Sequence, residues 1–368
     1  MIIKINDYDG KYRTVSFAAS EKTRDELLSR ELDVITVADK TAVFYPENIC
    51  FKLSDEAAEL FGKSCDYDAF EISISGCAYK FYDSRSLDNA ILVTNKCNSN
   101  CIMCPTAEAI RRNNEIYSGA QLIRLARHIP DDAAHITITG GEPFITKKDM
   151  FELLGFLKDK LPDISYLLLT NGRAFCSREY TELFKQTVPP DLELGIPLHG
   201  FNAKTHDGIV RSDGAFRQTY LGLKHLLSVN ARVELRIVVS RLNESFITEI
   251  AQLIADEFSE VKSVKFIGLE MTGNAAVNRE KVWIDYPTAF QRSKDGINLL
   301  TSSGIDVGIY NFPLCAVENK YWNICEKSIS PFKIRYVKEC DSCTVKDACG
   351  GVFSGTLRLA KEKMVPIR

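Results

Sequence analysis

The sequence lacks long apolar segments and an excess of positive charge. No run approaches the roughly 18–20 consecutive apolar residues that a membrane-spanning helix needs. Asp7 and Asp9 lie where a signal peptide would have its apolar core, so we expect a cytoplasmic protein that does not attach to membranes. The 46 Lys and Arg residues against 49 Asp and Glu give a net charge of −3. Because nucleic-acid binding requires a basic excess, we expect no nucleic-acid partner.

The sequence also lacks internal repeats and low-complexity tracts. With 45% hydrophobic and 26% charged residues, its composition is typical of a globular protein and excludes the disordered and collagen-like classes. A length of 368 residues favours two or three domains, or one large barrel with additions.

Twelve cysteines stand out in a chain without a secretion signal. Because the cytosol keeps thiols reduced, metal or redox chemistry is a better interpretation than disulfide bonds. Most of them fall into two groups: Cys97, Cys101 and Cys104, then Cys315, Cys325, Cys340, Cys343 and Cys349. We interpret the scattered ones as buried small hydrophobic residues: Cys50, Cys65, Cys77 and Cys176.

A regular alternation of strand-like and helix-like segments begins near residue 90. The predicted strands are Ile91–Thr94, His135–Thr139, Tyr166–Thr170, Leu192–Pro197, Glu234–Val239 and Val264–Leu269. Each is followed by a stretch able to form a helix, and near-continuous apolar strands are typical of a parallel sheet covered by helices. The fold class is therefore α/β, as an open doubly wound sheet or a partial (β/α)6 TIM-type barrel, which periodicity does not separate.

Polar turns follow the predicted strands. In both α/β architectures the chemistry lies beyond the carboxyl ends of the strands, so these turns predict one shared site. We divide the chain into an accessory α+β domain (1–89), the strand–helix repeat (90–304) and a loop-rich domain with the second cysteine group (305–368). The first segment holds 11 Lys and Arg against 17 Asp and Glu, a net −6, and we expect it to recognise a peptide.

The spacing of the first cysteine group indicates a metal or cluster site. Cys97-x3-Cys101-x2-Cys104 offers three of the four ligands of an iron–sulfur cube, which leaves one iron open. A structural zinc knuckle is the alternative. The spacing resembles the signature of the radical S-adenosylmethionine (radical SAM) enzymes. The resemblance implies a partial (β/α)6 barrel, a [4Fe–4S] cluster on these cysteines, and S-adenosylmethionine bound to the open iron through its amino and carboxylate groups.

Further residues are assigned to the cofactor through this resemblance. Gly140-Gly141-Glu142-Pro143 resembles the family's GGEP turn, whose backbone and Glu hold the methionine ammonium. Arg236 is similar to a fifth-strand basic residue that meets the cofactor carboxylate, an ordinary surface arginine being the alternative.

Other cavity residues are implied by strand position and not by a motif. Asn171, His199 and Ser240 lie where relatives contact the ribose or line the cavity, although His199 is equally compatible with a hydrogen-bonded core histidine. Glu270 belongs to the end of the sixth strand that packs near adenine in relatives. Met103 stands where the family usually has an aromatic residue, and its polarizable side chain suits adenine.

The second cysteine group resembles the twitch/SPASM extension of radical SAM enzymes that act on peptides. The resemblance implies one auxiliary [4Fe–4S] cluster on Cys315, Cys340, Cys343 and Cys349. Cys325 is a rival for the first ligand, and a zinc site is the alternative.

Within the superfamily, the chain resembles the HxsC family, the radical SAM maturases of His-Xaa-Ser repeat systems. The resemblance rests on the runs 91–104, 196–200, 311–315, 327–330 and 339–351. It implies a ribosomally made precursor peptide as substrate, a second radical SAM maturase as partner, and an electron donor such as flavodoxin or ferredoxin. Two alternatives are a molybdopterin-cyclase-like enzyme, which would end in a Gly-rich segment with paired arginines unlike 361–368, and a zinc-stabilised binding module.

Overall fold

The N-terminal part of the chain is an α+β unit built on a mostly antiparallel sheet. The computed structural model describes residues 2–112 and 116–368. The elements of the unit are β1 (Ile2–Lys4), β2 (Arg13–Phe17), α1 (Glu21–Ser29), β3 (Val34–Ala38), β4 (Thr41–Tyr45), β5 (Ile49–Lys52), α2 (Asp55–Phe61), β6 (Ala69–Ile72) and β7 (Cys77–Tyr82). Their sheet order is β1-β7-β6-β2-β3-β4-β5. Buried aromatic residues such as Phe44, Phe61 and Phe70 form its own core.

A second sheet, entirely parallel, forms the partial barrel. Its strands are β8 (Ala90–Leu92), β9 (His135–Thr139), β10 (Ser165–Leu169), β11 (Leu192–Pro197), β12 (Arg232–Val239), β13 (Ser263–Gly268), β14 (Val307–Tyr310) and β15 (Cys325–Glu326). They are hydrogen-bonded in reverse chain order, from β15 to β8. The first six correspond to the six predicted strands, so the α/β class is confirmed and the partial barrel is the architecture.

The last two strands of this sheet were not predicted. Both come from the segment 305–368, which the sequence indicated only as loop-rich. β14 has four residues including a glycine, and β15 has two, so neither is long enough to produce a strand pattern. The loop-rich segment thus completes the barrel sheet.

Helices connect the successive strands of the barrel sheet. They are α3 (Glu108–Arg112), α4 (Gly119–Arg127), α5 (Lys148–Lys160), α6 (Arg178–Thr187), α7 (Ala203–Val210), α8 (Ala215–Ser228), α9 (Ile247–Glu257), α10 (Gly273–Val277), α11 (Arg279–Val282) and α12 (Tyr286–Ser302). On α5, Met150, Leu153, Leu154 and Leu157 are buried at three- and four-residue spacing, which directs one face to the sheet. Among the described residues, no helix combines the length and hydropathy needed to cross a membrane.

The C-terminal residues return to the carboxyl end of the barrel. This part contains β16 (Ile334–Arg335), β17 (Val352–Phe353) and α13 (Leu357–Ala360). The buried Thr356 hydroxyl accepts from Met271 N at 3.1 Å and donates to Leu269 O at 3.2 Å. These two bonds fasten the C-terminal segment to the loop after β13.

Candidate active site

A cavity of about 460 Å³ opens at the carboxyl ends of the barrel strands. Residues within or directly after each strand from β8 to β13 line it, and Asn311 and Phe353 extend the wall from the C-terminal segment. The predicted shared site therefore corresponds to a real cavity. The physical reason is that parallel strands bring all their following loops to one edge.

The first cysteine group forms one wall of this cavity. Cys97, Cys101 and Cys104 all line it, in the loop between β8 and α3. Burial, with smaller contributions from the neighbouring thiols of the group, raises the pKa of Cys97 to about 11 and that of Cys101 to about 12. Thiols held in this way are neutral until a metal displaces their protons, and proximity to each other suits a shared cluster.

Hydrogen bonds from outside the cysteine loop hold its backbone. Asn100 N and Ile102 N donate to the carbonyls of Val210 and Ile209 at the end of α7, each at 3.0 Å. The amide of Asn274 donates to Cys101 O at 3.0 Å. The loop is thus positioned by elements distant in sequence.

The predicted glycine turn also packs against the cysteine loop. Gly141 N donates to Thr94 O at 2.7 Å. A Cβ atom at Gly141 would overlap the carbonyl of Lys96, and one at Gly140 would lie 2.5 Å from Thr94 O. Both glycines line the cavity. They are required for close approach of the turn to the cysteine-bearing segment, in addition to the predicted cofactor contact.

Glu142 is buried behind the glycine turn. Its side chain is 1% exposed and is not part of the cavity wall. Its carboxylate accepts from Phe144 N at 3.1 Å, Thr170 Oγ1 at 2.7 Å and Asn171 N at 2.7 Å. Burial raises the pKa of Glu142, and these hydrogen bonds lower it. The side chain therefore ties the glycine turn to the end of β10, and its predicted contact with the methionine ammonium stays a prediction.

Arg236 lies in the cavity wall with most of its donors free. Its Nε donates to Glu234 Oε1 at 2.6 Å, and Glu234 is itself buried. A Cβ at Gly195 would lie 3.1 Å from Arg236 Nε, so this glycine makes room for the guanidinium. Within the described residues, the two terminal nitrogens of Arg236 have no protein partner. They are available to a carboxylate.

Four other predicted residues also line the cavity: Met103, Asn171, His199 and Glu270. The Nδ1 atom of buried His199 has no hydrogen-bond partner among the described residues. Burial lowers the pKa of His199 to about 3, and His206 lowers it further, so the ring is neutral. Glu270 is paired with Lys333 at 3.2 Å.

Besides Glu142, two predicted cofactor residues lie outside the cavity wall. Ser240 is fully buried, and its backbone N donates to Asn243 Oδ1 at 2.9 Å. It stabilises the turn after β12, and the predicted cofactor contact of its side chain stays a prediction. Pro143 is buried at the start of a 3-10 turn and fixes the backbone behind Glu142. Strand position alone could not tell whether these side chains face inward.

Sequence analysis missed two arginines beside the cysteine loop. Arg173 donates to Asn98 O at 2.7 Å and to Ser99 Oγ at 2.9 Å. Arg111 donates to Ser99 O at 2.9 Å and to Asn100 Oδ1 at 2.5 Å. Both line the cavity. No motif contains them, and only their position after a strand or on a short helix could have drawn attention to them.

The second cysteine group lies in the C-terminal segment, with Cys340 and Cys349 buried. Burial raises the pKa of Cys315, and nearby Cys349 and Cys340 raise it further. For Cys325, burial raises the pKa to about 12, with Cys349 as the one neighbouring thiol that contributes. In the parts of the chain described, no three Cys, His, Asp or Glu side chains converge on one point as ligands of a single metal ion do.

The scattered cysteines are not buried as predicted. Cys50 is exposed, on the edge strand β5, and Cys65, Cys77 and Cys176 are half-buried. A small thiol is tolerated at such positions, and composition does not distinguish them from core positions.

Residues 91–254 match the family model of the Radical SAM superfamily. The AdoMet-dependent heme synthase of Methanosarcina barkeri is 28% identical over 166 residues, which are 44% of this chain and 45% of that protein. The molybdenum cofactor biosynthesis protein moc-5 of Caenorhabditis elegans is 23% identical over 184 residues, which are 48% of this chain and 29% of that protein. The chain thus spans less than half the length of the curated relatives it matches.

A solved structure shares the fold. SuiB of Streptococcus suis, bound to its precursor peptide SuiA, superposes with a TM-score of 0.51 at 15% identity, over 62% of this chain and 49% of SuiB. The likeness to SuiB shows the fold alone. The match over residues 91–254 indicates a radical SAM domain, and the members of that superfamily are enzymes that use a [4Fe–4S] cluster and S-adenosylmethionine.

Proposed function

We propose that the chain is a radical SAM maturase of the HxsC type that modifies a ribosomally made precursor peptide. The observation that carries the proposal is that the cavity wall combines the three cysteines of the first group with residues of the segment that holds the second group. Resemblance of that segment to the twitch/SPASM extension supports a peptide as substrate. The fold shared with SuiB, which was solved with a precursor peptide, agrees with it.

The residues fit the two implied cofactors. Three thiols and no fourth Cys line the cavity, which matches a cluster with one open iron. Arg236, with unpaired terminal nitrogens, suits the carboxylate of S-adenosylmethionine. When bound, the cluster and the nucleotide supply a 5′-deoxyadenosyl radical that abstracts a hydrogen atom from the substrate. The chain encloses this reaction in the barrel and excludes water.

Residues 1–89 belong to the same proposal as the peptide-recognition part. Their net −6 charge would attract a basic stretch of the precursor. A purely structural role is the alternative, since Ala69 and Tyr82 pack in the barrel core and Arg30 pairs with Asp131 at 2.9 Å. A second radical SAM maturase and a flavodoxin or ferredoxin electron donor complete the proposed set of partners.

The experiment is anaerobic reconstitution followed by iron and sulfide analysis. Two clusters predict about eight irons per chain, since each holds four, and the Cys97/Cys101/Cys104→Ala variant should keep about half. Stoichiometric zinc without sulfide would refute the proposal. Release of 5′-deoxyadenosine should rise when a His-Xaa-Ser repeat precursor is added.

A small-molecule radical SAM reaction is the second candidate. It is favoured by sequence similarity to the heme synthase and to moc-5, each over less than half of this chain. The same release assay separates the two candidates, because a small-molecule enzyme would not respond to the precursor peptide.

A further inference from the structure

Arg111 brings a positive charge to the cysteine loop. Its Nη1 donates to Ser99 O at 2.9 Å and its Nη2 to Asn100 Oδ1 at 2.5 Å. Ser99 and Asn100 lie between Cys97 and Cys101, so the guanidinium is held against the middle of the ligand loop. Its Nε is buried and has no hydrogen-bond partner among the described residues.

No carboxylate forms an ion pair with Arg111 within the described ranges, although several neighbouring charges are paired. Arg112 pairs with Glu108 at 2.6 Å and is largely exposed. Glu142, the buried acid behind the turn, receives three hydrogen bonds from other residues. A partly buried cation without a counterion stabilises negative charge nearby, because water does not screen it fully.

Reduction of an iron–sulfur cluster adds one negative charge to the site. The reduction potential of such clusters depends on net charge, hydrogen bonding and solvent exposure. A fixed cation at the ligand loop favours the reduced form more than the oxidised form. A cation in open solvent, such as Arg112, has a much weaker effect because it is screened.

We propose that Arg111 is a positioning residue that raises the reduction potential of the cluster held by Cys97, Cys101 and Cys104. This rests on the proposed function, since it requires the cluster to be present. Two features of Arg111 contribute: its charge beside the loop, and its two hydrogen bonds that keep that charge at a fixed place. Arg173 also holds the loop, but it lies near Glu142, whose pKa it lowers.

The test is an anaerobic redox titration of the reconstituted full chain, followed by electron paramagnetic resonance. Cys315→Ala in every sample removes the auxiliary signal if that cluster is present. Arg111→Gln should lower the ratio of reduced to oxidised cluster at a fixed potential by about tenfold, equivalent to about 59 mV for a one-electron couple. Arg111→Lys keeps the charge, so its reduction potential should stay much closer to that of the unsubstituted chain.

Arg112→Gln is the matched control, because it removes the charge of the adjacent residue, which is exposed to solvent. If Arg111→Gln does not hold iron, Arg111→His gives a second measurement. The introduced imidazole loses its charge between pH 6 and pH 8. The reduction potential of the cluster in this variant, relative to that in the unsubstituted chain, should therefore fall as the pH rises over that range. Equal potentials for Arg111→Gln, Arg111→His and the control would overturn the inference. Absence of iron and sulfide from the unsubstituted chain would instead overturn the proposed function.

Discussion

Ser16 Oγ and His128 Nδ1 are 2.8 Å apart, and this hydrogen bond joins the N-terminal sheet to the barrel. Ser16 lies on β2, whereas His128 is the C-cap residue of α4. Both side chains are buried. Burial, with smaller contributions from Arg127 and Arg124, lowers the pKa of His128 to about 3. The imidazole at this contact is therefore neutral.

This contact predicts a loss of stability in mild acid. The unfolded chain binds a proton at His128 near pH 6.5, whereas the folded chain does not. The contribution of neutral His128 to the free energy of unfolding is therefore complete above about pH 6.5. It decreases by about 1.4 kcal/mol for each pH unit below that, until the folded pKa is reached.

Urea unfolding at pH 7.5, 6.5 and 5.5 measures this effect. His128→Asn keeps a hydrogen-bonding group for Ser16 and does not titrate, so it should lose less stability on acidification. His199 and His206 are also buried, but they are present in both proteins, so their contribution to the pH dependence of stability cancels in the comparison. Parallel pH dependence in the two proteins would contradict the prediction.

Glu142→Ala should destabilise the cluster-free protein. The substitution leaves the Phe144 N, Thr170 Oγ1 and Asn171 N donors without their acceptor in a buried site. Each unsatisfied group costs about 1–3 kcal/mol, so we expect a loss of about 3 kcal/mol or more in the free energy of unfolding. The measurement is equilibrium unfolding, with the exposed Glu179→Ala as control. Full stability combined with weakened cofactor binding would instead indicate that Glu142 contacts the methionine ammonium directly.

Arg236→Met should weaken binding of S-adenosylmethionine. A charge-assisted hydrogen bond contributes roughly 1.5–3 kcal/mol, so we expect a ten- to hundredfold rise in Kd. Titration of the cofactor against the cluster spectrum gives the Kd, and iron content should not change. Arg241→Met removes an exposed arginine after the same strand and serves as the control. An unchanged Kd would mean that a cation other than Arg236 binds the carboxylate of S-adenosylmethionine.

Cys315→Ala should remove the auxiliary cluster, whereas Cys325→Ala should keep it. Cys315 lies near both Cys349 and Cys340, while the Cys325 thiol donates to Tyr321 O at 3.5 Å and has only Cys349 as a thiol neighbour. Iron analysis should give about four irons per chain for the first variant and about eight for the second. The reverse pattern would make Cys325 the ligand.

Charge reversal on the N-terminal unit should slow association with the precursor peptide. Glu21 and Glu31 are each 89% exposed, so Glu21→Lys/Glu31→Lys changes the surface charge without disturbing the core. Surface charges act mainly on association rates and are screened by salt, so the difference should shrink as ionic strength rises. Stopped-flow binding measures the rate, and Glu179→Lys on the barrel is the control. Equal association rates would indicate that the unit is structural.

The sequence alone determined the features that depend on local pattern. Each of the six predicted strands is an apolar or β-branched run. Such runs are typical of strands in a parallel sheet whose faces are covered by helices. The cysteines of the first group are close in sequence, so a single loop brings them together without help from the rest of the fold. The alternation of strands and helices also placed the polar turns at one end of the sheet.

Only the tertiary structure decided where individual side chains point and which distant residues meet. Glu142 and Ser240 are in suitable turns, yet the Glu142 carboxylate accepts from Thr170 at the end of the neighbouring strand, and the buried Ser240 hydroxyl donates to Asn243 in its own turn. Arg111 reaches the cysteine loop from a separate helix, a contact that no spacing reports. β14 and β15 are too short to form a sequence pattern, and they become strands because β13 supplies hydrogen-bond partners to β14, and β14 supplies them to β15.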